Sequence, residues 1–153
     1  MSEIQKDRYL SRFPTKFIEY LNEKDHYDRF ISSVNFDYED VVVYRGIHRN
    51  DILSADDFLN NIETAEVFNL KSTPNRSLEM FGVSVNEELK DIEFQLKIPN
   101  KKLKLVAIAK GKMSCKYGPA SFDEDRPHHN WYLFDGVVDS VASEFTIIEK
   151  KYE

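Results

Sequence analysis

The run Val41–His48, VVVYRGIH, constrains this chain more than any other segment. Three β-branched valines and a tyrosine fit a pleated, buried strand. Arg45 and Gly46 follow, so the strand carries a guanidinium to its own end. Removing that group from water is costly unless it is paired. Arg45 is therefore expected to meet an anion: an internal carboxylate such as Asp57 or Glu144, or the phosphate of a ligand.

The rest of the chain suits one domain spanning residues 1–153. Its 153 residues are 41% hydrophobic and 13% aromatic, enough to bury a core without a covalent staple. The single Cys115 excludes an intramolecular disulfide and a cysteine-based zinc site, and fits a reducing compartment. The N-terminal MSEIQKDRYLSRF has no apolar core of a signal peptide, and no apolar run reaches the length of a membrane span. The expectation is a cytoplasmic protein with no membrane association. A net charge of −6 disfavours nucleic acid as a partner. The lysines between Lys97 and Lys112 read as a solvated turn and strand face, with a phosphate-contacting patch as the alternative.

Periodicity predicts helices first. Leu10, Phe13, Phe17 and Leu21 approach a 3.6-residue period, and Pro14 suits a helix start, giving a helix from Pro14 to about Lys24. A shorter helix follows on Tyr27, Phe30 and Ile31, and 35–40 reads as a polar connection. Ser54 is a good N-cap for a helix over about Ala55–Val67. Residues Met80–Val85 read as a short strand. The Ser84-x-x-Glu87 spacing of a capping box predicts a helix from Val85 to about Leu96. Leu103–Met113 reads as a central strand, with Leu103, Leu105, Ala107 and Ala109 on one face. Residues 117–127 read as an acidic loop. The segments HHNWYLF and SEFTIIEKKY read as two late strands joined by a turn at Asp135–Gly136. This order predicts an α+β fold: N-terminal helices packed on a mostly antiparallel sheet of about four to six strands.

Motifs exclude more than they assign. Neighbouring strand residues face opposite ways, so His128 and His129 cannot bind one metal together, and no metal site is assigned. Joining one of them to Asp123, Glu124 and Asp125 gives a metal-assisted hydrolase as a third reading. Cys115 between Lys112 and Lys116 reads as a small buried hydrophobe rather than a nucleophile. With five glycines and no P-loop, GxGxxG or GxSxG, the chain has no glycine-rich phosphate cradle.

Four polar residues remain at strand ends, where sites are built on rigid scaffolds. Arg45 binds phosphate in a forked geometry. Ser84 can orient a ribose. His128 can titrate near neutrality. Glu144 can stabilise a developing positive charge. The order VYRG, then GVSV, then SEFTI resembles the Arg–Ser–Glu layout of the ADP-ribosyltransferases. That resemblance implies that Arg45 and Ser84 bind NAD as cofactor and that Glu144 assists transfer at the ribose. Here the serine is not in an STS triplet, and Ala142 stands where an ExE pair would put its first glutamate. The chain also resembles small bacterial and phage proteins with a YR strand, a Ser-Val strand and a late His-bearing strand, a likeness that implies no established activity. The leading expectation is a small binding or accessory protein that works through a protein partner without catalysis. The alternative is an ADP-ribosyltransferase-like or NAD-glycohydrolase-like enzyme, with Arg45 and Ser84 binding the cofactor and Glu144 and His128 catalytic.

Overall fold

The valine run forms the second strand of a seven-stranded antiparallel sheet in the computed structural model, which describes residues 9–48, 52–70, 76–97, 105–122 and 127–151. In chain order the elements begin with helices α1 (Thr15–Leu21) and α2 (His26–Ser33). Strands β1 (Val34–Asn35) and β2 (Val41–Ile47) follow. A 3-10 turn (Ala55–Phe58), helix α3 (Asn61–Val67) and a second 3-10 turn (Leu78–Phe81) lead to β3 (Val83–Asn86). Then come α4 (Leu89–Lys97), β4 (Ala107–Met113), β5 (Ala120–Ser121), β6 (His128–Trp131), α5 (Val138–Ser143) and β7 (Thr146–Lys150). The sheet order is β1-β5-β6-β3-β2-β4-β7.

Alternation along the central strands separates two faces. On one face, Val43 and Ile47 of β2 pack with Val83, Val85, Ala107, Ala109 and Trp131 under Phe58, Val141 and Phe145. The opposite face has two separate covers. Helices α1 and α2, with Phe13 just ahead of α1, bring Phe17, Tyr20 and Phe30 against Phe81, Tyr132 and Phe134. Helix α4 sets Ile92 and Leu96 on Leu105, Ile108 and Tyr44. Ser84, Asn86, His128 and Asn130 share that second face, since Ser84 pairs with Asn130 and Asn86 with His128.

The α+β architecture agrees with the sequence reading, and several local expectations are corrected. The strand count exceeds four to six because β1 and β5 are two residues each, too short to leave a periodic trace. The 35–40 connection is not simply polar: Phe36 and Tyr38 are buried. The single helix expected over Ala55–Val67 is broken. Asn60 caps α3 through the Glu63 amide, while the Glu63 carboxylate accepts from the Asn60 amide. Ser84 does not cap a helix. Its neighbours Val83 and Val85 are drawn into the core, so the segment pairs with β6 and α4 starts only at Leu89. Met80 lies in the 3-10 turn rather than the strand. Leu105 packs with Ile108 under α4, not with Ala107 and Ala109, because strand pairing begins at Ala107. The segment before Thr146 holds the short helix α5, which ends at Ser143. Leu103, Lys71–Asn75 and the acidic trio Asp123–Asp125 lie outside the described residues.

Gly118 ties the β1–β2 connection to β6. Its carbonyl accepts from the Tyr38 hydroxyl at 2.8 Å and from Trp131 Nε1 at 3.3 Å. Its φ of 150° and the Tyr132 carbonyl, which a Cβ would strike, both require glycine. Gly118→Ala is therefore expected to lower stability by about 2 kcal/mol or more, read as a lower urea midpoint at unchanged slope. A pH effect follows from the tyrosines. Burial raises the phenol pKa of Tyr38 above 10.0, and does the same for Tyr132 and Tyr20. Folded-state pKa values above the unfolded ones mean stability present below the unfolded value and lost as pH rises through and beyond it. Arg45, held down to about 10 by burial, opposes this in the same window, but one group stands against three. Urea midpoints are expected to fall above about pH 10, and the fall should flatten in Tyr38→Phe.

Candidate functional site

The sheet opens where β2 leaves β3. Strand β2 pairs with β4 along its whole length, Val41 to Ile47, but meets β3 at a single pair, Tyr44 with Asn86. Beyond that pair the strands diverge, and Arg45 fills the gap. Its Nη1 donates to the Ser84 carbonyl at 2.8 Å, and its Nε donates to the Asp57 carbonyl at 3.1 Å. The counter-charge expected for Arg45 is thus replaced by two backbone carbonyls, with the Asp57 carboxylate only nearby. Burial lowers the guanidinium pKa to about 10, and the charge of Asp57 acts in the opposite direction.

The guanidinium keeps capacity for a further acceptor. Arginine has five N–H donors, and the two bonds to Ser84 and Asp57 are those it makes among the described residues. The half-buried Arg45 borders a hollow of about 280 Å³, which His48, Asp56, Asp57, Asn61 and Ser84 also line. Burial raises the carboxyl pKa of Asp57, while the Ser54 amide, bonded at 2.9 Å, and Arg45 pull it down.

Ser84 links this hollow to a second one. Its Oγ lies 2.6 Å from His128 Nε2, on the sheet face shared with Asn130. His128 in turn lines a cleft of about 520 Å³ under α2, with Arg29, Ser33, Glu79, Ser121 and Asn130. A serine hydroxyl against an imidazole is the arrangement that permits proton transfer to or from an oxygen held beside it. His129 points to the other face, as alternation requires. It is buried, with Nδ1 at 3.0 Å from the Ser121 carbonyl and Nε2 at 2.7 Å from Glu87 Oε2. A carbonyl only accepts, so Nδ1 donates to it, and Nε2 faces the carboxylate. This pair fixes β6 against β5 and against the turn into α4.

Ser84 touches two of the other residues chosen from sequence: its carbonyl accepts from Arg45, and its hydroxyl lies against His128. Glu144 does not join them. It caps α5 ahead of β7, and β7 is two strand positions from β2, a lateral offset of about 10 Å. Its carboxylate is 3.3 Å from Lys116 Nζ, and it borders a separate hollow with Val42, Lys110, Lys112 and Ile148. Gly111 permits this seat, because a Cβ there would come within 2.8 Å of the Glu144 carbonyl oxygen. Among the described residues no group of three or more His, Cys, Asp or Glu could hold a metal ion. Cys115 is free and half-buried, packed against the core.

Sequence reasoning missed His48, Asp56 and Asn130 as site neighbours. Asn130 could have been found from its strand parity with His128. The other two reach the hollow only through the divergence of β2 from β3.

Replacing Arg45 leaves two carbonyls without their donor. Arg45→Met is expected to cost about 1–3 kcal/mol, and Arg45→Lys less, both read from urea midpoints. An unchanged midpoint in Arg45→Met contradicts the bridging role. No family model, curated protein or solved structure matches the chain.

Proposed function

We propose that the hollow at Arg45 and Ser84 binds a ribonucleotide of the NAD type, and that the chain is an ADP-ribosyltransferase-like or NAD-glycohydrolase-like enzyme with His128 as its proton-transferring group. One observation carries the reading. Arg45 and Ser84 line the same hollow, and Ser84 is hydrogen-bonded to His128 at 2.6 Å.

The chemistry divides among the residues. The guanidinium of Arg45 suits a phosphate oxygen. The Ser84 hydroxyl, anchored on His128, suits a ribose hydroxyl. Asp56 and Asp57 place negative charge in the hollow, which favours a cationic nicotinamide ring and the oxocarbenium ion that forms as the ring departs. In that step the C1′–N bond breaks and its electron pair leaves with neutral nicotinamide. Water or an acceptor hydroxyl then forms the C1′–O bond, and its proton passes to His128. The cleft under α2 adjoins His128 and offers the acceptor a polar place to lie. Glu144 has no part in this arrangement. The competing reading, a binding protein without catalysis, draws on the surface beside Glu144 instead.

A thermal-shift titration with NAD and ADP-ribose tests the proposal. Ligand at a hundredfold its dissociation constant adds about 2.7 kcal/mol of stability, a readily measured rise in Tm. The rise is expected for the wild-type chain, reduced in Ser84→Ala and unchanged in Glu144→Gln. Nicotinamide release is expected to fall about a hundredfold or more in His128→Ala, with binding retained. No Tm rise with either ligand, or one that Ser84→Ala leaves intact, overturns the reading.

A further inference from the structure

The second face of the sheet is covered by α1 and α2 at one end and by α4 in the middle, yet its far end is bare among the described residues. There β2, β4 and β7 present Val42, Lys110, Lys112, Thr146 and Ile148 around a hollow of about 420 Å³. Val42 is 45% exposed and Ile148 44% exposed, although both occupy strand positions. Lys110 and Lys112 are exposed and have no carboxylate partner among the described residues, while the one acid of the hollow, Glu144, is held by Lys116.

We propose that this surface docks an acidic peptide segment of a partner protein, with an aliphatic or aromatic side chain of that segment filling the hollow. Charge complementarity selects the occupant. The chain carries −6 overall, yet here lysines stand over an apolar floor, so the local field opposes the global one. A nucleic acid fits less well, because the floor has no aromatic ring on which a base could stack. A second copy docking through the same patch on a two-fold axis would set lysine against lysine. Lysines on outer strands also discourage aggregation, but a surface built only for that would not leave valine and isoleucine bare between them. The site is independent of the Arg45 hollow, so the docking function stands or falls apart from the proposed enzyme.

Fluorescence anisotropy with a labelled acetyl-DELFED-amide peptide tests the proposal on the full chain. Saturable binding is expected. It should weaken at least about tenfold in the Lys110→Glu/Lys112→Glu double variant, and also in Ile148→Ser or when glycines replace the central Leu-Phe of the peptide. Added salt should weaken it too. Circular dichroism of the variants separates loss of docking from loss of fold, since all three side chains are exposed. The proposal is overturned by absence of saturable binding, by equal binding of acetyl-KKLFKK-amide or a thymidine oligonucleotide, or by indifference to the charge reversal. A concentration-dependent dimer in sedimentation that Ile148→Ser abolishes would overturn it in favour of a second copy.

Discussion

One guanidinium bridges the point where two neighbouring strands part. β2 and β3 share a single residue pair and then part, and the Ser84 carbonyl turns to Arg45 instead of to a strand amide. The same side chain reaches the Asp57 carbonyl in the 3-10 turn that follows β2. A strand ladder is thus continued by a side chain, and the room left beside it becomes the hollow. Burying this charge costs stability, as its lowered pKa records. The cost is offset by two charge-assisted hydrogen bonds and by the packing on either side.

That packing is unequal, and the inequality places the functional groups. The face bearing Val43, Val85 and Trp131 is sealed by apolar side chains from the 3-10 turn and α5. The opposite face is covered in two patches, one from α1 and α2 and one from α4. Ser84, Asn86, His128 and Asn130 lie on the strands between them. Polar residues on that strip keep access to solvent while the strands beneath stay rigid. His129 shows the converse: turned to the other face, it is buried and bonded at both ring nitrogens.

What was legible in the sequence follows from how local its cause is. β2 could be read because β-branched residues cluster there. The opposite facing of His128 and His129 followed from alternation alone. Arg45, Ser84 and His128 stood out because each is polar at an apolar strand. Ser84 reads as a helix cap because Ser-x-x-Glu satisfies a local rule, and pairing with β6 overrides that rule. Order along the chain groups Glu144 with the others. Order does not reveal that β7 adds outside β4, two strands from Arg45. Strands β1 and β5 were invisible because two residues carry no period. The hollow itself has no sequence signature, since it arises from two strands diverging.

The most direct test observes the Arg45 guanidinium itself. Nitrogen-detected NMR resolves arginine Nε and Nη signals, and Arg45→Lys assigns the one in question. On titration with ADP-ribose, the account predicts a saturable shift of the Arg45 signals, with Arg12 and Arg29 unmoved. ADP-ribose that binds while leaving the Arg45 signals in place would contradict it.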